Sequence, residues 1–517
     1  MAFGEVKTAT LQGLLPVPVI VEVDVSNGLP MFSMVGQLSS EVKEASERVR
    51  TALKNAEFSL PPKKIVVNLS PGNVKKRGTL FDLAIALGVL QALSILPLGA
   101  FAGTFVLGEL GLDGTVKEIN GVFPIVAFAK EQGIKTVILP KGNSPEGRLV
   151  EGIEIIGVSS ILEACEFAKD KKAWILRENE QGKKEQVPYV AELLEKTADF
   201  SDIHGQEGLK RACEVAVSGG HNLLLVGPPG SGKTMIASRI PTILPALTKE
   251  EGYELTKIQS VMGLIDKEHP LSVNRPFRMV HHTVTKAAMI GGGAVPKPGE
   301  ISLAHHGVLF LDELAEFKRP VLEVLRQPLE EHVIRLARGS QNFEFPANFM
   351  LVAAMNPCPC GNFPDQKLCR CTPHQIQQYL GKISQPFLDR IDICTEASRV
   401  TFSEVSASAE KNEESSAMIR ERVELARKKQ EERFLAYPYC TNAMMGVKEI
   451  ETFCPLSGKE RMLMEQAYVN LHLTARTYHK VLKVARTIAD LSGSAEIDSL
   501  HLKEAIGYRT IDKKYWG

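Results

Sequence analysis

The residues Gly227-Pro228-Pro229-Gly230-Ser231-Gly232-Lys233-Thr234 have the types and order needed for phosphate chemistry. Glycines let backbone N–H groups close around phosphate oxygens, Lys233 would reach the β and γ oxygens, and the Thr234 hydroxyl would hold Mg2+. The context fits, because Asn222-Leu223-Leu224-Leu225-Val226 reads as a strand and Met235-Ile236-Ala237-Ser238 continues in helical register. Strand, glycine turn and helix N-terminus together make this a P-loop. Further on, Gly307-Val308-Leu309-Phe310-Leu311 is a second buried run, ending in Asp312 and Glu313. Adjacent acids there suit Mg2+ (Asp312) and the polarising of an attacking water (Glu313). A third apolar run, from Asn348 to Met355, ends in Asn356. A polar side chain at that point would lie beside the other two strands, within reach of the γ-phosphate or the lytic water.

Two arginines and four cysteines extend the constellation. Arg390 stands between two acids in Phe387-Leu388-Asp389-Arg390-Ile391-Asp392, and Arg476 opens a helix at Leu473-Thr474-Ala475-Arg476. A planar, permanently charged guanidinium matches phosphate oxygens in both places. Taken singly, each reads first as a surface ion pair. Of nine cysteines, Cys165, Cys213, Cys394, Cys440 and Cys454 are scattered and read as reduced thiols. The other four form Cys358-x-Cys360 and Cys369-x-Cys371 in a loop with little apolar content. Four thiolates there would close a structural Zn2+ shell with no open position, with His374 as a substitute ligand. A redox pair or unliganded thiols are the alternatives.

These residues need elements to position them. At 517 residues the chain exceeds one hydrophobic core, so two or three domains are expected, and 44% hydrophobic with 24% charged residues is a globular composition. Net charge is zero, so nucleic acid would have to be bound by local patches. Residues 1–168 alternate β-branched runs with helical patterns and form a domain with its own core; 169–186 is charged and reads as a linker; 187–402 is the P-loop domain; 403–517 has helical periodicity and no convincing strand. Leu83 to Gly108 carries no charge and is long enough to cross a bilayer, but Gln91, Ser94 and Pro97 interrupt it. It reads as a buried helix followed by a turn and strand. With no basic region and apolar core at the N-terminus, no membrane and a cytoplasmic location are expected. Lys75-Lys76-Arg77 could touch phosphates, although a solvated charge run is the commoner case.

Taken in order, these pieces resemble an AAA+ ATPase. The resemblance implies an α/β P-loop core with a C-terminal helical lid. It also implies that Ile203 and His204, in Phe200-Ser201-Asp202-Ile203-His204-Gly205-Gln206, contact adenine, that Asn356 is sensor one, that Arg390 is an arginine finger and that Arg476 is the sensor-two arginine. A finger implies a ring, because it serves the neighbour's γ-phosphate. The insert from Ala288 to Glu300, Cys358-Pro359-Cys360-Gly361 and the helix from Ala475 to Leu491 resemble the magnesium-chelatase-like YifB/ComM family over essentially the whole chain. Family likeness implies a bacterial cytoplasmic protein and, for its ComM branch, a hexameric helicase driving branch migration during recombination of incoming DNA. Leu107 to Gly114 and Gly133 to Pro140 resemble the proteolytic domain of Lon. The Lon nucleophile and its activating lysine are missing from the corresponding Gly78-Thr79-Leu80-Phe81-Asp82 and Gly121-Val122-Phe123-Pro124-Ile125, so an α+β fold without peptidase activity is expected.

Residues from His332 to Phe345 alternate and turn at Gly339-Ser340, as a hairpin does. In related ring motors such a hairpin enters the pore, which would place Arg335, Arg338 and the insert residue Lys297 on a DNA strand; as residues alone they read equally as surface cations. The expectation is an ATP- and Mg2+-dependent homo-hexameric motor on single-stranded or branched DNA, with recombination proteins as possible partners. The rivals are a remodeller of protein complexes and a chelatase-type motor subunit.

Overall fold

A computed structural model of the protein describes residues 2–171, 174, 198–293, 296–338, 341–399, 413–437 and 439–516. The expected linker over 169–186 and the turn at Gly339-Ser340 therefore lie wholly or mostly outside the described residues. Contacts divide the chain into two units: residues 1–190, 249–272 and 337–343 form the first, and residues 191–248, 273–336 and 344–517 the second.

The first unit is built on seven strands: β1 (Ala2–Gln12), β2 (Leu15–Ser26), β3 (Met31–Val35), β4 (Lys64–Ser70), β5 (Thr104–Val106), β8 (Thr136–Pro140) and β9 (Glu154–Val158), in the order β3-β4-β2-β1-β5-β8-β9. Two short strands between them, β6 (Glu109–Leu110) and β7 (Val116–Lys117), pair as a separate ribbon. The long hairpin β1–β2 is antiparallel, and the β5–β8–β9 half is parallel. Alternation along β2 buries Val19, Val21, Val23 and Val25 on one face. Against β1 and β2 packs the helix Asp82–Ala92, every residue of which is buried. That accounts for the uncharged stretch from Leu83, and β5 follows it as the expected strand. No helix among the described residues is long and apolar enough to cross a membrane.

Two features of this unit differ from the sequence reading. Lys76 is fully buried, not part of a solvated run; its Nζ donates to the Pro71 carbonyl, while Lys75 is exposed. The segment Lys249–Ser272 follows the P-loop helix in chain order yet packs in the first unit. There the Ser260 hydroxyl donates to the Glu146 carboxylate, the Gly121 N–H donates to the Ser260 carbonyl, and Tyr253 lies 5.5 Å from the Phe123 ring. Chain order alone gives no sign of that excursion.

The second unit holds five parallel strands: β10 (Leu223–Val226), β11 (Phe277–Val280), β12 (Val308–Leu311), β15 (Met350–Met355) and β16 (Ile393–Glu396), in the order β11-β12-β15-β10-β16. β10, β12 and β15 are buried at every position, as short apolar runs must be when both faces are covered. In chain order between β12 and β15, strands β13 (Val333–Arg338) and β14 (Gln341–Pro346) pair as the expected hairpin, of which residues 337–343 count with the first unit. From residue 413 on, the described residues are helices and turns without a strand, including Ser416–Arg433, Gly458–Asn470, Ala475–Leu491 and Ser499–Trp516. The helix Ala475–Leu491 buries Val481, Leu482, Val484, Ala485, Ile488 and Ala489, a single apolar stripe. Thr474 caps it by accepting from the Thr477 N–H, which fixes Arg476 in the first turn.

Candidate active site

Register brings three strand ends together. β15 lies between β12 and β10, with Leu311 opposite Ala353 and Val226 opposite Met355. The P-loop leaves β10, Asp312-Glu313 leaves β12 and Asn356 leaves β15, so all three emerge at the carboxyl edge of the sheet within about 10 Å, two strand spacings. That edge is where open α/β sheets bind ligands.

Within the P-loop, Gly230 and Gly232 have φ of 76° and 81°, which a side chain would oppose. Lys233 is buried, and its Nζ donates to the Gly227 and Pro228 carbonyls at 2.8 Å and lies 3.4 Å from Asn356 Oδ1. Burial holds its pKa below the ordinary lysine value, with Asp312 opposing. Thr234 Oγ1 donates to Asp312 Oδ2 at 2.8 Å, so the two expected Mg2+ ligands are already in contact. Asp312 Oδ1 accepts the Glu313 N–H at 2.9 Å. Glu313 takes a left-handed φ of 53°, strained for a side chain. Its carboxylate is exposed and lies 3.3 Å from His282 Nδ1, just beyond β11. Nothing in the sequence singled out His282. Ile203 is buried and His204 half-buried, 3.9 Å from Glu413. The segment before them is tied to the P-loop helix Lys233–Ile243 through Arg239, which donates to the Asp199 carbonyl and the Asp202 carboxylate at 2.9 and 2.8 Å.

The two arginines are placed elsewhere. Arg390 precedes β16, whose first residue Ile393 pairs with Leu223 at the start of β10, and its carbonyl accepts from Asn222. Asn222 and the P-loop are separated by the length of β10, about 15 Å. Arg390 is thus at the amino edge of the sheet, and Arg476 is beside it, since both contact Glu330 Oε1, at 2.8 and 3.2 Å. The arginine that the resemblance makes sensor two therefore stands with the one that it makes the finger. A largely shielded ion pair reinforces this placement: Lys480, one turn after Arg476, is 2.8 Å from Asp392, two residues after Arg390.

In the cysteine loop, Sγ of Cys358 lies 3.4 Å from that of Cys360 and 3.8 Å from that of Cys369, and Cys360 lies 3.7 Å from Cys369. All four thiols, Cys371 included, lie within 4.8 Å of one another. A tetrahedral Zn–S4 centre with bonds of about 2.3 Å needs sulfurs about 3.8 Å apart, so the donor set fits zinc. The loop also touches the P-loop. Gly361 has φ of 77°, and a Cβ there would meet Pro229 Cδ at 2.3 Å.

Lys297, Arg335 and Arg338 are all exposed. Arg335 pairs with Glu344 at 2.9 Å and with Glu331. At the segments aligned with a Lon dyad, the residues are structural. Asp82 is buried in a two-pronged pair with Arg48 at 2.8 and 3.0 Å, Thr79 donates to Glu109, and the Phe123 N–H donates to Glu146.

Models of magnesium chelatase subunit ChlI match residues 21–143 and 199–405, and a model of its C-terminal part matches residues 413–509. Against Lon protease 2 of Bacillus subtilis the chain is 32% identical over 146 residues, 27% of this chain and 26% of that protein. It is 40% identical over 513 residues to YifB of Escherichia coli, covering 99% of this chain and 98% of that one. With the competence protein ComM of Haemophilus influenzae it shares 40% identity over 520 residues, again 99% and 98%. The family implies ATP and Mg2+ as cofactors, in agreement with the residues gathered at the sheet edge. Likeness along the whole length settles the relationship: this chain belongs to the magnesium-chelatase-like YifB/ComM family.

Proposed function

We propose that this chain is an ATP-driven DNA motor working as a hexameric ring in the cytoplasm, a helicase that promotes branch migration when incoming DNA recombines during natural transformation. The observation that carries the motor is the meeting of Lys233, Thr234, Asp312, Glu313 and Asn356 at three adjacent strand ends. What favours DNA as the load is the likeness to a competence protein together with the exposed cations Lys297, Arg335 and Arg338.

In this reading residues 1–168 are a Lon-like domain without its dyad, 169–186 a linker, 187–402 the AAA+ ATPase domain and 403–517 its lid. Ile203 and His204 flank the adenine, and the P-loop amides with Lys233 hold the phosphates. Thr234 and Asp312 hold Mg2+, which screens the charge on the phosphates. Glu313 accepts the proton of the attacking water that Asn356 orients. Arg390 and Arg476 stabilise the charge on a neighbour's γ-phosphate. Cys358, Cys360, Cys369 and Cys371 hold a structural zinc. Recombination proteins are the partners in view.

The test is ATP-dependent release of a labelled strand from a branched DNA junction by the purified protein, with Glu313→Gln as control. Release by the wild type and none by the variant is expected. ATP hydrolysis that DNA leaves unchanged, with no junction moved, would remove DNA as the load. A remodeller of protein complexes or a chelatase-type motor subunit, the latter favoured by the ChlI models, would then take its place.

A further inference from the structure

Glu330 lies on the short helix Pro328–Glu331, and a single oxygen of it, Oε1, is 2.8 Å from Arg390 Nη2 and 3.2 Å from Arg476 Nη2. One carboxylate thereby holds both arginines assigned to phosphate. The other two nitrogens of Arg390 also donate within the chain, Nε to the Arg326 carbonyl at 3.3 Å and Nη1 to the Pro386 carbonyl. Arg390 is only 8% exposed. An arginine in that state cannot meet a phosphate on another subunit; it has to leave these partners first. Two guanidinium groups on one oxygen also place two positive charges side by side, an arrangement that holds only while the negative charge is between them.

We propose that Glu330 is a latch that keeps Arg390 and Arg476 folded onto their own subunit, and that its release precedes hydrolysis at the interface with a neighbour. This rests on the phosphate-binding role proposed above for the two arginines. The latch can open because Glu330 is 45% and Arg476 53% exposed, so water reaches the carboxylate and weakens its hold, although Arg390 itself is buried. A γ-phosphate, with more charge and several oxygens, competes successfully for the same donors. Glu330 is therefore a positioning residue, acting through the arginines and touching no nucleotide itself.

The experiment measures ATP hydrolysis per subunit across a range of protein concentrations for the full-length wild type, Glu330→Gln, Glu330→Asp and Arg390→Ala, with thermal melts of each. Removing the latch should raise the rate of Glu330→Gln at dilute protein about two- to fivefold and lower the concentration at half-maximal rate by a similar factor. Glu330→Asp, which keeps the charge, should stay near the wild type. Simple destabilisation would move the half-maximal concentration the other way, and the melts would show it. An unchanged or slower Glu330→Gln, with Arg390→Ala still inactive, overturns the latch and leaves the arginine assignment standing. Wild-type hydrolysis by Arg390→Ala removes that assignment and the latch with it.

Discussion

At the scale of single residues, the site is a set of mutual contacts. Lys233 is held among loop carbonyls, and Thr234 donates to Asp312. Triphosphate oxygens and Mg2+ offer each of these groups a more highly charged partner, which favours loading. Lys233→Ala should therefore lose nucleotide binding outright, measured with a fluorescent ATP analogue. Glu313→Gln should bind as the wild type does but hydrolyse on the order of a hundredfold or more slowly, since only the proposed proton acceptor is gone. Equal loss of binding and hydrolysis in Glu313→Gln would place that side chain among the binding groups instead.

Elements decide how these contacts reach the rest of the unit. The cysteine loop runs directly on from β15 and Asn356, and Gly361 lies against Pro229, so the loop braces the P-loop from one side. Cys358→Ser should release about one zinc per chain, read by metal analysis, and lower the melting temperature by several degrees, because the loop has few apolar side chains to fold around. A metal content equal to the wild type's would deny the site.

A second brace joins the sheet to the helix Ala475–Leu491. His221 is fully buried, its Nε2 lies 2.8 Å from Thr487 Oγ1 and its Nδ1 3.9 Å from Asp392, with Lys480, Lys483 and Arg427 as the other charges around it. Burial pushes its pKa down from 6.5 to about 4, against the pull of Asp392. The unfolded chain takes up the proton near pH 6.5 and the folded one only near 4, so this group's stabilisation is complete above 6.5 and is lost as pH falls through that window. The loss amounts to about 3 kcal/mol. His221→Gln should flatten the fall in melting temperature between pH 6.5 and 4; an unaltered slope would assign it to other groups.

At the scale of the whole molecule, the separation of the arginines from their own P-loop makes a single chain an incomplete catalyst under the proposed roles. Lys233→Ala lacks a nucleotide site and Arg390→Ala lacks a finger, so each alone should be inactive. Mixed in equal amounts and allowed to reassemble, they should recover about a quarter of the wild-type rate, the share of interfaces pairing an intact P-loop with an intact arginine. No recovery on mixing would mean that the two groups act within one chain.

The fraction of all this legible in the sequence follows a physical division. P-loop, paired acids and Asn356 were legible because each is a local pattern: an apolar run long enough for one buried strand, then the polar residues at its end. The helix Asp82–Ala92, the hairpin β13–β14 and the C-terminal helices were legible for the same reason, since periodicity reports which face is buried. Lys76 was misread because a run of three cations reads as solvated until the chain folds over one of them. Lys249–Ser272 was assigned to its neighbours in sequence when its partners are Glu146 and Phe123, more than a hundred positions away. His282 and Glu330 carry no motif at all; each matters only through the side chain opposite it. By itself, then, the sequence determined the chemistry available and the family, because residue type and spacing are properties of the chain. Only the tertiary structure decided which groups meet: three strand ends at one edge, and two arginines on one glutamate at the other. Those meetings depend on strand order and register, which arise from packing between distant segments and leave no local trace.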